Sequence, residues 1–151
     1  MFFYSNTGAG SFERSIEWLS ELETQSITAL AAADFDNDDK IDLYVSQFSA
    51  KDMLLKNDGE HLLPIDVGLS SSESISAGAS WMDYDADGDL DLFVAGHGRG
   101  PEGEFGDKPK LASADKNHLY ENKGDTFQSN SSKLNYAGKE PYTYSGIWLP
   151  L

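Results

Sequence analysis

Apolar residues recur at every second position in two separate stretches, as Ile41, Leu43 and Val45 and as Leu90, Leu92 and Val94. A period of two with β-branched members predicts half-buried strands. A run of small and apolar residues precedes each stretch, at 29–33 (Ala-Leu-Ala-Ala-Ala) and 78–82 (Gly-Ala-Ser-Trp-Met), and predicts a strand before it. Further on come Met53-Leu54-Leu55-Lys56 and His118-Leu119-Tyr120-Glu121, each running into Asn-x-Gly (57–59 and 122–124). Asn and Gly tolerate positive φ, so each pair marks a tight hairpin. Leu62 and Leu63 in one case, and Phe127 in the other, predict a fourth strand. The chain therefore reads as a unit of four short strands, used twice.

The ends fit the same template in part. Phe3 to Gly8 followed by Phe12 matches the last two strands of a unit, and Tyr144 to Leu149 matches the first strand of another, with Trp148 in the place of Trp81. The expectation is an excised or truncated piece: the end of a unit at 1–25, whole units at 26–75 and 76–136, and the start of another at 137–151. Residues 16–22 fit either an amphipathic helix, with Ile16, Leu19 and Leu22 spaced by three, or a strand. The second unit carries an insertion, 96–117, rich in Gly, Pro and mixed charge, which predicts a loop.

Between the first two strands of each unit lies an acidic run. Asp83 to Asp91 reads DYDADGDLD, with Asp at every odd position, and Asp34 to Asp42 reads DFDNDDKID. The first Asp of one run is 49 residues from that of the other. Carboxylates at this density repel unless a cation sits among them. Hard oxygen donors suit Ca²⁺, which takes six to eight of them in flexible geometry. Gly88 permits the sharp turn such a loop needs, and Asp39 stands in its place in the first run.

The net charge is −15, and ten of the 26 acidic residues lie in these two runs. Such a chain repels nucleic acid and anionic membrane surfaces unless a cation bridges them. With no cysteine there is no disulfide framework, thiolate zinc site or cysteine nucleophile. No stretch has the roughly 20 apolar residues of a membrane span.

These residues resemble the FG-GAP/VCBS repeats of calcium-binding β-propellers, the repeat also found in integrin α chains. The stretch GASWMDYDADGDLDLFVAGHG with NHLYENKGDTF is most similar to the ASPIC/UnbV or cartilage-acidic-protein-like branch. The resemblance implies an all-β fold: a propeller segment of about two complete four-stranded antiparallel blades, with partial blades at each end. It implies one Ca²⁺ on Asp34, Asp36, Asp38 and Asp42 with the Lys40 carbonyl, and a second on Asp83, Asp85, Asp87 and Asp91 with the Asp89 carbonyl. Asp39 and the positive charge of Lys40 mark the first site as the weaker. The implied function is a non-enzymatic, calcium-stabilised module for adhesion or ligand binding, extracellular or at the cell surface, meeting a protein or carbohydrate through face loops. The alternative is the propeller part of a secreted polysaccharide lyase or hydrolase. Unpaired blade edges would favour edge-strand association.

Other readings of these residues are blander. An acidic run can be a solvated turn. An EF-hand needs Glu at position 12, where Val45 and Val94 stand, and flanking helices. Phe35, Trp81, Tyr84 and Trp148 sit at repeat-equivalent positions, which favours core packing over an aromatic ligand platform. His61, His97 and His118 are scattered, and Asn130-Ser131-Ser132 is a short glycosylation match.

Overall fold

The small residues before each acidic run and the alternating residues after it form antiparallel strands, and the run is the bend that reverses the chain between them. A computed structural model describes residues 3–15, 27–47, 50–69, 75–97 and 117–135. The helix-or-strand ambiguity at 16–22, the insertion from 98 to 116, Trp148 and the segment 137–151 lie outside the described residues. The first sheet runs β3 (Ile27–Ala33), β4 (Asp42–Gln47), β5 (Met53–Asn57) and β6 (Leu62–Ile65), hydrogen-bonded in that order. The second runs β7 (Ile75–Met82), β8 (Asp91–His97), β9 (His118–Asn122) and β10 (Phe127–Ser129), again in chain order. A separate two-stranded hairpin precedes them, β1 (Phe3–Gly8) with β2 (Ser11–Ser15). The described chain is all-β in three antiparallel sheets, apart from a short 3-10 turn at Ser131–Lys133. Among the described residues no helix is long and apolar enough to cross a membrane.

The Asn-x-Gly signal works the same way in all three sheets. The side-chain Oδ1 of Asn6, Asn57 and Asn122 accepts from the backbone N–H of Gly8, Gly59 and Gly124. All three glycines hold positive φ, the conformation that costs glycine least.

The two four-stranded sheets pack face to face. Tyr44, Leu54, Val67 and Leu69 from one side meet Leu92, Val94, Tyr120 and Phe127 from the other, with Phe35 among them. Trp81 stacks on Phe35 at 6.0 Å between ring centroids, and Phe127 tilts against both. Phe35 is thus a core residue, and the partly buried Trp81 packs against that core. The outer face of each sheet has a smaller cluster: Val45, Leu55 and Leu62 on the first, Met82, Phe93, Ala95 and Leu119 on the second.

Alternation in β4 predicts one wet face, but that face is also closed. Asp42, Tyr44 and Ser46 are buried as fully as Val45. Buried polar groups are nearly always hydrogen-bonded, and these are. Tyr44 Oη donates to Asp52 Oδ2 at 2.6 Å, and Ser76 Oγ of the second sheet donates to the same oxygen at 2.9 Å. Ser46 Oγ donates to the Ser76 carbonyl at 3.0 Å. Asp52 Oδ1 accepts the Gln47 N–H. This polar latch crosses between the sheets.

Burial, and next the negative charge of Asp52, push the Tyr44 phenol well above its ordinary pKa. The folded state therefore keeps that proton at pH values where the unfolded state releases it. The stabilisation is complete below pH ~10 and is lost as pH rises above it. Tyr44→Phe is expected to cost about 1–3 kcal/mol near neutral pH and to flatten the alkaline loss. Urea denaturation on both sides of pH ~10 checks this; an unchanged alkaline slope in the variant refutes it.

Candidate metal loops

Each acidic run folds back on its own first carboxylate. Asp34 accepts the N–H groups of Asp38 (3.0 Å) and Asp39 (2.9 Å), and Asp83 accepts those of Asp87 and Gly88, both at 3.1 Å. Asp38 and Asp87 in turn accept the N–H groups of Lys40 and Asp89, both at 3.0 Å. The turns require left-handed backbone at two places per loop: Asn37 and Asp39 in the first, Ala86 and Gly88 in the second. Asp39 adopts φ 65° where Gly88 takes 97°, so the first loop carries the side-chain strain that glycine avoids.

The last Asp of each run is the base of the loop. Asp42 and Asp91 are fully buried at the start of β4 and β8. Asp42 accepts the N–H groups of Phe35 (3.2 Å) and Asn57 (2.8 Å). Asp91 accepts those of Tyr84 (3.0 Å) and Asn122 (2.8 Å). Burial raises the pKa of both, against the pull of these N–H groups, and the neighbouring carboxylates raise it further. The side-chain amides of the same asparagines close the loop from the other side. Asn57 Nδ2 donates to the Ile41 carbonyl, and Asn122 Nδ2 donates to the carbonyls of Leu90 and Phe35.

Carboxylate oxygens of Asp34, Asp36 and Asp42 come within 4.8 Å of one another in the first loop, as do those of Asp83, Asp85 and Asp87 in the second. Asp38 is instead held by lysines, with Lys40 Nζ at 2.9 Å and Lys56 Nζ at 3.5 Å. Lys56 Nζ also contacts Asp36 Oδ2. The hydrogen bond from Lys40 holds the Asp38 carboxyl below its usual range, and the bond to Asp36 raises Lys56. Asp36 Oδ1 is buried with no hydrogen-bond partner. Asp89 turns towards the first loop and accepts from Asn37 Nδ2 at 3.1 Å, so the two loops touch. A groove of about 440 Å³ beside them, lined in part by Asp36, Lys56, Asp89 and Asn122, opens the first loop to solvent.

Sequence reasoning finds the aspartates and misses Asn57, Asn122 and Lys56. The asparagines read as turn formers only. Their second role had one signal, the same Asn-x-Gly following each acidic run. Lys56 had another: its counterpart directly before the second Asn-x-Gly is Glu121, of opposite charge. Glu121 faces Tyr84, whose Oη donates to it at 2.9 Å, and it pairs with Lys123. Among the described residues no lysine, arginine or histidine forms an ion pair with Asp83, Asp85 or Asp87.

His61 pairs weakly with Asp58 at 3.8 Å, and His118 stacks on Tyr120. Asn130 of the glycosylation match donates to Tyr84 Oη and Glu121. No family model matches the chain, and a search of curated proteins finds no match.

Proposed function

We propose that the chain is part of a calcium-stabilised β-propeller of the FG-GAP/VCBS kind, serving outside the cell as an adhesion or ligand-binding module rather than as an enzyme. The observation that carries the metal reading is the second loop: three carboxylates converge and, among the described residues, no cationic side chain is paired to them. Gathering like charges in this way is unfavourable until a cation joins them. The unpartnered, buried Asp36 Oδ1 supports the same reading for the first loop. Two four-stranded meanders, each with its acidic loop between its first two strands, support the propeller.

Asp83, Asp85, Asp87 and Asp91 would hold one ion with the Asp89 carbonyl, and Asp34, Asp36, Asp38 and Asp42 the other with the Lys40 carbonyl. Bound calcium supplies positive charge that neutralises the loop. The chain's own residues do the rest: the N–H groups that Asp34 and Asp83 bind curl the loop, and Asp42 and Asp91 brace it against the Asn-x-Gly hairpin. The metal is structural in this reading, and the loops it orders present a face to a protein or carbohydrate ligand.

Calorimetric titration tests the metal reading. Ca²⁺ is expected to bind with Kd on the order of 10⁻⁴ to 10⁻³ M, as in extracellular modules. Asp85→Ala is expected to abolish more of the Ca²⁺-dependent stability than Asp36→Ala, because Asp36 already has Lys56 beside it. Absence of binding at millimolar Ca²⁺ overturns the metal reading; a larger loss from Asp36→Ala overturns the ranking.

A further inference from the structure

We propose that Lys56 is a built-in counter-ion that occupies the cation position of the first acidic loop, leaving the second loop as the one that takes a divalent ion. The inference rests on the calcium reading above and sharpens it from two similar sites to one ion site and one lysine-filled site.

The two loops share one backbone design. The same N–H groups bind the first, third and last aspartates in both, and the same hairpin asparagine closes both. What differs is the residue before that asparagine. In the first sheet it is Lys56, whose Nζ reaches Asp36 and lies 3.5 Å from Asp38. An ammonium in contact with two loop carboxylates does electrostatically what a bound cation does there. Asp38 is drawn to it and to Lys40 rather than into the group formed by Asp34, Asp36 and Asp42.

In the second sheet the equivalent residue is Glu121, a negative charge bonded to Tyr84 and Asn130 and paired with Lys123. Asp87 stays with Asp83 and Asp85 there. A divalent ion entering the first loop must displace Lys56 from Asp36 or share the loop with a like charge, and either one weakens binding. In the second loop, among the described residues, no ion pair has to be broken: the nearby Lys133 ammonium bonds to Tyr84 Oη rather than to a loop carboxylate.

The test is Ca²⁺ titration of the full chain by calorimetry, with Lys56→Met and Lys56→Gln each made alone and combined with Asp85→Ala. Wild type is expected to bind one ion, and Asp85→Ala none in the same concentration range. Each Lys56 variant is expected to bind two, and each double variant one. First-loop affinity should rise about tenfold or more on removal of the lysine charge.

A second readout needs no metal. In excess chelator the Lys56 variants should melt below wild type, and Ca²⁺ should restore them. Wild type binding two ions of similar affinity, or Lys56 variants that still bind one, overturns the proposal and leaves the calcium reading standing. No binding by any protein overturns both. One ion bound by the Lys56 variants and none by wild type supports the role of Lys56 and refutes the second loop as a site.

Discussion

Asp91→Ala is expected to destabilise the protein by about 2–4 kcal/mol, with Asp42→Ala close behind. Each substitution leaves two backbone donors without their acceptor: Tyr84 and Asn122 N–H in one case, Phe35 and Asn57 N–H in the other. An orphaned buried donor costs about 1–3 kcal/mol. The sum is held down because an ionised carboxylate is itself unfavourable in these positions, as its raised pKa records. The penalty should be present in excess chelator, since the bonds concerned are within the protein. Urea denaturation of metal-free protein checks it. A loss below about 0.5 kcal/mol, the usual range of a surface substitution, would show that Asp91 does not brace the loop.

The second large effect is that of Ca²⁺ itself. With Kd near 10⁻⁴ to 10⁻³ M, ~10 mM Ca²⁺ stabilises the folded state by roughly 1.4–2.7 kcal/mol through mass action. For a chain of this size that corresponds to a rise of about 3–10 °C in Tm. Excess chelator should reverse it fully, and Mg²⁺ should give less, because it demands tighter octahedral geometry and sheds water reluctantly. Superimposable melting curves in chelator and in Ca²⁺ would remove the metal from the account.

The strands and their turns were legible because they depend on local pattern. Alternation placed β4 and β8, small residues placed β3 and β7, and Asn-x-Gly placed the hairpins. Burial was less legible. Tyr44 and Ser46 occupy what pattern alone makes the wet face of β4, and only the second sheet, packed on that face and bonded through Ser76, closes it. Within the loops, the pattern names ten candidate positions, of which Asp34, Asp36 and Asp42, and Asp83, Asp85 and Asp87, come together; the division of labour among them was not legible. Asp42 and Asp91 are set apart from the other aspartates by partners 15 and 31 residues away, at Asn57 and Asn122. Asp38 is set apart by Lys40 within the run and by Lys56 in β5. Spacing within nine residues carries no information about Asn57, Asn122 or Lys56.

The hydrogen bond from Asn122 to the Phe35 carbonyl joins residues 87 positions apart. On the ribosome, the first acidic loop emerges well before the side chain that completes it. At synthesis rates of about 5–20 residues per second, the delay is roughly 4–17 s. During that time the first sheet can pair its strands, but its loop has a bare carbonyl, and the aromatic face around Phe35 lacks Trp81 and Phe127. The nascent chain thus spends seconds with a sticky, half-finished surface, and the last described hairpin is what retires it.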